Sequence, residues 1–440
     1  MLVSAWGRWS GIAAAGLLAA GTAQAVETEQ MLTGELLIEG INQNNYTDGS
    51  DDANDRAAAM WIRAKIGAKV DFDDYAELEL SLVYDGQAGD YSGIDQDDSA
   101  EVAFNDAFLT LKHLFRDDFH MRIGRQPVSW NLRSDYGAFY HDSRADDPLV
   151  TSWDGVRAYW QNTKVTASAF WYILDEAVER KGIEVPVAGA KTNSGDNDLI
   201  GIMLDYQPDA DGDNRLFFTG GATMELNQQV EPGLEAKELI AYYAGFEANL
   251  TAGIDLYGEG VFQDGELRNG NSMTGWGFNL GADYRPPGPM DTIIGVQFDM
   301  LSGDGDPNDG EYEAFSAPWE GVSDTLIVEH ERYGELSELQ VGNLQALKLK
   351  FEYRFMQERF RVKMMGAHYQ MPEKVNNEDT FGTEVDFEIN WQYTYWVNFG
   401  FMAAAFLPDT GYQEVVRQEL GTVGGDDEIY FLGGTAQVVF

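Results

Sequence analysis

The sequence predicts an all-β fold, a transmembrane antiparallel β-barrel of about eighteen strands with short periplasmic turns and long acidic outer loops. Three observations carry that expectation. Hydrophobicity alternates with period two from end to end, the connections alternate between short and long, and the final stretch keeps one apolar face up to Phe440.

Taken in order, the chain opens with Arg8 in a short basic region, a small-residue apolar core from Gly11 to Ala20, and an Ala23-Gln24-Ala25 cleavage pattern. This reads as a cleaved signal peptide over residues 1–25, leaving 26–440 as a single outer-membrane barrel domain. The apolar run is too short to span a bilayer as a helix, and nothing after it approaches the ~18 to 20 uninterrupted apolar residues that such a helix needs.

The strands follow. In Trp61 to Val70 one face is Ile62, Ala64, Ile66, Ala68 and Val70, while Trp61, Arg63, Lys65 and Lys69 occupy the other. Leu78, Leu80 and Leu82 alternate with Glu77, Glu79 and Ser81 in the same way. A helix does not keep such faces apart, whereas a strand does. The pattern places strands near 32–45, 57–72, 75–85, 101–115, 118–127, 153–161, 165–174, 196–207, 214–226, 238–249, 253–264, 274–285, 291–302, 343–355, 359–371, 380–392, 396–407 and 428–440.

Short turns fall at Asp73-Asp74, 116–118, 162–164, 209–213, 250–252, 286–289, 356–358 and 393–395. Between them lie longer, acidic connections near 46–56, 86–100, 128–152, 175–195, 227–237, 265–273, 303–342, 372–379 and 408–427. A barrel with both termini in the periplasm requires this alternation, and a soluble sandwich does not. In the last strand Tyr430, Leu432, Gly434, Ala436, Val438 and Phe440 form the apolar, lipid-directed face, with Thr435 and Gln437 on the other. The stretch resembles the terminal signature of bacterial outer-membrane barrels, which implies that the final Phe marks the chain for the barrel-assembly machinery. Outer-membrane lipid and that machinery are therefore the expected partners.

The net charge of −45 argues against nucleic acid as a partner. The chain has no cysteine, which removes disulfides and thiolate metal sites. What bears on function is where the bases fall. With Leu347, Leu349, Phe351, Tyr353 and Phe355 toward lipid, Lys348, Lys350 and Arg354 face the lumen, and Arg361 and Lys363 do the same on the return strand. Arg63, Lys65, Lys69, Arg122 and Arg157 join them, since a cation facing lipid at mid-depth costs ~2 to 4 kcal/mol. Two readings follow. Either these cations form a ladder for an anionic solute, or they pair with inward acids such as Glu77, Glu79, Glu352, Glu384, Asp386 and Glu388.

Arg122-Ile123-Gly124-Arg125-Gln126-Pro127, then Trp153-Asp154-Gly155-Val156-Arg157, resembles the R-x-G-R-Q and D-G-V-R pair of the alginate export porin family. Leu301-Ser302-Gly303-Asp304-Gly305-Asp306 with Asn308-Asp309-Gly310 and Phe315, and Gly382-Thr383-Glu384-Val385-Asp386, resemble further segments of that family. The resemblance implies an eighteen-stranded outer-membrane barrel with an electropositive pore for an anionic polysaccharide. It also implies that Arg122, Arg125 and Arg157 are lumen residues that contact solute.

The expected function is thus a passive channel for an anionic or sugar-like solute. The alternatives are a porin for small apolar or aromatic nutrients and a plugged structural or partner-binding barrel. No enzymatic activity, cofactor or metal site is expected. Asp304 to Asp309 and Asp209 to Asp213 imitate the start of a calcium loop, but lack its sixth-position Gly and twelfth-position Glu. His141 and Ser143 stand two apart without an orienting partner, and His113, His120, His141, His330 and His368 lack ligand spacing. The stretch from Pro127 to Ser152, with Trp130, Arg133, Tyr136, Tyr140 and Arg144, reads either as an inward constriction or as a cap on the outer rim.

Overall fold

Strands that are apolar on one side and polar on the other leave two exposed edges until the first pairs with the last, and here they do. The computed structural model describes residues 28–45, 56–72, 74–90, 100–127, 152–175, 197–208, 216–227, 229–231, 234–250, 253–288, 291–306, 309–316, 324–329, 342–420 and 427–440. The signal-peptide expectation, the 128–151 stretch, His141, Ser143, His330 and Asp209 to Asp213 lie outside them.

The strands are β1 (Thr28–Asn44), β2 (Arg56–Phe72), β3 (Ala76–Asp90), β4 (Ala100–Leu111), β5 (Phe119–Gln126), β6 (Trp153–Gln161), β7 (Val165–Asp175), β8 (Asn197–Tyr206), β9 (Leu216–Leu226) and β10 (Gln229–Glu231). They continue as β11 (Leu234–Leu250), β12 (Ile254–Leu267), β13 (Ser272–Tyr284), β14 (Asp291–Leu301), β15 (Glu311–Tyr312), β16 (Gln345–Phe355), β17 (Phe360–Val375), β18 (Glu378–Gln392), β19 (Val397–Pro408) and β20 (Ile429–Val439). β10 and β15 are short additions at the outer end, the second running parallel to β13. The other eighteen pair antiparallel with their neighbours in sequence and form the closed wall.

Closure runs from Glu35↔Val439 to Asn44↔Tyr430. It is extended by two backbone hydrogen bonds, Gly34 N to Phe440 O at 2.7 Å and Phe440 N to Gly34 O at 2.9 Å. The Phe440 ring lies over Gly34 on the outer surface, so close that a Cβ there would stand 2.3 Å from the ring. Phe440 is exposed outward, as are Leu432 and Tyr430, while Phe431 and Ile429 are buried inward. Each of the eighteen expected strands is matched by a wall strand, so the sequence-derived faces hold around the barrel.

Two connections expected to be long are tight instead. β17 and β18 extend upward to meet at Asn376-Asn377, both at positive φ (51° and 73°), which Asn tolerates better than most residues. β12 and β13 likewise join through residues 268–271, ordered by the Asn269 side chain accepting from Asn271 N.

The connection near 408–427 is not plain loop. It contains helix α1 (Thr410–Leu420), which starts at Asp409, whose carboxylate accepts from Thr410 N at 2.7 Å. Tyr412, Val415 and Val416, spaced i, i+3 and i+4, put one apolar face inward. The Tyr412 ring meets Phe381 and Phe406 edge-on at centroid distances of 5.5 and 5.6 Å. These rings belong to a packed core inside the outer half of the barrel. It joins inward residues of the wall, among them Trp61, Tyr243, Tyr369 and Phe431, to Phe315 and to Leu326, Ile327 and Val328 of the β15–β16 connection.

Candidate functional site

The alternation that buries lumen residues and exposes lipid residues sorts the predicted bases. On β16, Leu347, Leu349 and Phe351 are exposed outward and Lys348 is almost fully buried. Arg63, Lys65, Lys350, Arg354, Arg361, Lys363, Arg122 and Arg157 fall on the inward register too. Arg125 does not. It stands an odd number of residues from Arg122, opposite Ala107 and Asp154, and forms an outward ion pair with Asp154 at 3.4 Å near the outer rim. The resemblance implied a lumen position for it, but a strand turns every second residue to the other face.

Most of the inward bases are matched by acids. Arg63 meets Asp85 at 3.7 Å, Lys65 meets Asp106 at 2.9 Å, and Lys350 meets Asp283 at 2.7 Å. Arg354 meets Glu352 at 2.6 Å and Lys363 meets Glu388 at 3.0 Å. Lys69 pairs with Glu77. Asp106 is further held by Ser81 and Ser152 hydroxyls at 2.6 and 2.7 Å, an anchor that fixes Lys65 in turn. Among fully buried charges of the described wall, acids outnumber Arg63 and Lys348. The pairing reading therefore accounts for much of the basic register.

Arg122 and Arg157 are different. They are directly opposite each other on β5 and β6, two like charges in cross-strand register, an arrangement that costs stability on its own. Among the described residues their hydrogen-bond partners are hydroxyls: Arg122 Nε donates to Thr110 Oγ1 at 3.2 Å, and Arg157 Nη2 donates to Ser168 Oγ at 2.9 Å. Each guanidinium lies near an aromatic ring, Arg122 at 4.3 Å from the Phe108 centroid and Arg157 at 5.6 Å from that of Tyr159. The Tyr159 ring is stacked on His120, which meets His113 edge-on. Above the arginines Gly124 and Gly155 oppose each other, and the buried Tyr172 ring packs against Gly155. Gly124 adopts φ +119°, and a Cβ there would stand 2.2 Å from Ala107 O. Glu79, across from Phe108 on β3, faces the same patch. Arg361, opposite Arg354, makes no ion pair with a described residue.

Halfway around the wall, on β14, β16, β17 and β18, the lumen carries something the sequence did not announce. Residues 324–329 of the β15–β16 connection lie inside the barrel, docked on two wall carboxylates. Ile327 N and Val328 N donate to the Glu384 carboxylate at 2.6 and 2.9 Å, and Leu326 N donates to Asp386 at 3.2 Å. Thr325 and Tyr369 share a hydroxyl hydrogen bond at 2.8 Å. Lys348 Nζ is gripped by Asp299, Asp324 and Glu329 at 2.6, 2.9 and 2.7 Å. Glu384 and Asp386, weighed from sequence as ion-pair partners, thus serve as acceptors for backbone amides. The short apolar run Leu326-Ile327-Val328 amid acidic residues was the available signal for this inward segment.

Asp304 and Asp309 cap their own turn, accepting from Asp306 N and Glu311 N at 3.1 and 2.8 Å. Among the described residues no group of acids and histidines has metal-holding geometry.

A family model described as "Alginate export" matches residues 40–385. No curated protein matches the sequence. Among solved structures, Pseudomonas aeruginosa OccK9 (OpdG) aligns with a TM-score of 0.60 at 11% identity, over 94% of this chain and 99% of that one. Acinetobacter baumannii OccAB4 aligns at 0.59 and 12% identity, over 94% and 98%. Pseudomonas aeruginosa OccK8 (OprE) gives the same figures as OccAB4. At these identities the likeness speaks for the fold.

Proposed function

The chain belongs to the alginate export family and is an outer-membrane channel, and from that premise we propose that its solute is anionic or sugar-like, an anionic polysaccharide included, met in the lumen by Arg122 and Arg157. The observation that carries this reading is the opposed guanidinium pair whose described hydrogen-bond partners are hydroxyls. Among the described residues most other inward bases, Arg361 apart, are ion-paired, whereas Arg122 and Arg157 make no ion pair and share their patch with the single acid Glu79. A guanidinium presents a planar fork of donors that fits a carboxylate, and the Phe108 and Tyr159 faces suit the apolar side of a sugar ring. Successive weak contacts, rather than one tight site, let a solute both enter and leave.

Proteoliposome efflux tests the reading. Oligomers of a uronic acid are expected to leave faster than neutral oligomers of the same length, and the difference is expected to shrink severalfold in the Arg122→Gln/Arg157→Gln variant. Equal efflux of both from the parent protein contradicts it. The plugged-barrel reading has its own support in the packed core of the outer half, and it predicts low efflux of every solute. We further assign Phe440, seated on Gly34, to recognition by the assembly machinery. Phe440→Ala is expected to lower the fraction of assembled protein in outer membranes.

A further inference from the structure

The lumen segment 324–329 is held by an arrangement that contains more acid than its bases match. Three carboxylates, from Asp299 on β14 and from Asp324 and Glu329 on the segment itself, share the single ammonium of Lys348. Lys348 has 1% of its side chain exposed and Glu329 4%, so water does little to spread that charge. A second acidic pair lies alongside on β18. Glu384 and Asp386 stand two residues apart on its inward face, both buried. Asp386 Oδ1 is buried and has no donor of its own. Both acids also hold the segment by its backbone amides.

We propose that segment 324–329 is a proton-set gate, docked in the lumen when the carboxyl cluster around Lys348 holds a proton on Glu329 and released as pH rises. The segment is suited to a reversible role. Its grip is polar and concentrated in a few groups, and its Asp324 N to Glu329 hydrogen bond at 3.1 Å keeps it a closed unit when it moves. The groups facing it are, from β17, Tyr369 and the Lys363–Glu388 pair, whose ammonium also reaches Asp324 O at 3.4 Å; from β16, Lys348; from β14, Asp299; and from β18, Glu384 and Asp386.

The direction of the response follows from Glu329. Burial, with Asp324 and Asp299 adding repulsion against the pull of Lys348, pushes its carboxyl up to about 8 in the docked state. A carboxyl raised on docking takes up a proton as the segment docks. Docking is therefore strongest near the ordinary glutamate range and weakens as pH climbs from there toward 8, by up to about tenfold per pH unit, while Asp324, which burial would raise but Lys348 holds below the ordinary aspartate range, keeps its charge throughout.

The chain's lack of cysteine gives a direct test. The single thiol of a Val328→Cys variant is buried when the segment is docked, and the exposed Asn269→Cys, in the β12–β13 turn, serves as the control for the intrinsic pH dependence of thiol reactivity. Both are labelled in proteoliposomes with a membrane-impermeant maleimide, and barrel formation is checked by heat-dependent gel mobility. The expected result is a control-normalised rate for Val328→Cys at least about tenfold higher at pH 9 than at pH 6, with Glu329→Gln cutting that rise severalfold. An unchanged normalised rate across this range, or an undiminished rise in Glu329→Gln, overturns the gate. Labelling needs no solute, so its outcome is separate from that of the efflux test of anion preference.

Discussion

At the scale of single residues, the lumen sets two treatments of charge side by side. Lys348 is buried and surrounded by acids, while Arg122 and Arg157 face each other across a ladder rung with hydroxyls and rings around them. The first is a structural device. Removing its ammonium leaves the Asp299, Asp324 and Glu329 carboxyls without their shared donor and counter-charge, so Lys348→Met is expected to destabilise the folded barrel or its docked segment by about 3–5 kcal/mol. A lowered midpoint of chemical unfolding in lipid vesicles checks this, and an unshifted midpoint contradicts it. The second treatment costs stability, which makes sense where a passing anion supplies the missing charge. Arg125 shows the limit of motif transfer: two residues in one short motif, three apart on a strand, point to opposite faces.

At the scale of elements, the sequence yielded the wall strands and their faces because lipid and lumen impose period two on every strand. Leu347, Leu349 and Phe351 against Lys348 and Lys350 leave little choice of register. What it did not yield was the interior filling. Among its described residues helix α1 buries the apolar side chains of Tyr412, Val415 and Val416, a stripe too short to outweigh its acidic neighbours in a window of sequence. The docking of segment 324–329 on Glu384 and Asp386 spans some sixty residues of chain and depends on backbone amides, which carry no sequence signature. For the same reason the candidate site was legible as a set of inward bases but not as neutralised and unneutralised members. The helix has a measurable weight of its own. Tyr412→Ala removes a ring packed between Phe381 and Phe406 and is expected to cost about 3–5 kcal/mol, read as a lower unfolding midpoint, with higher conductance through the emptied outer half. A variant with parent stability and conductance contradicts the packing role of α1.

At the scale of the whole molecule, a strongly acidic chain forms a closed wall with an apolar exterior, a partly filled outer half and a lumen whose opposite sides differ. β5 and β6 carry the arginine pair, and β16 and β17, halfway around the eighteen strands, support the acid-rich gate. The most direct measurement of the central claim is the reversal potential of the reconstituted channel in a salt gradient at alkaline pH. The parent protein is expected to prefer anions, and Arg122→Gln/Arg157→Gln to lose that preference. Cation preference in the parent, or a potential unmoved by the double substitution, contradicts the account.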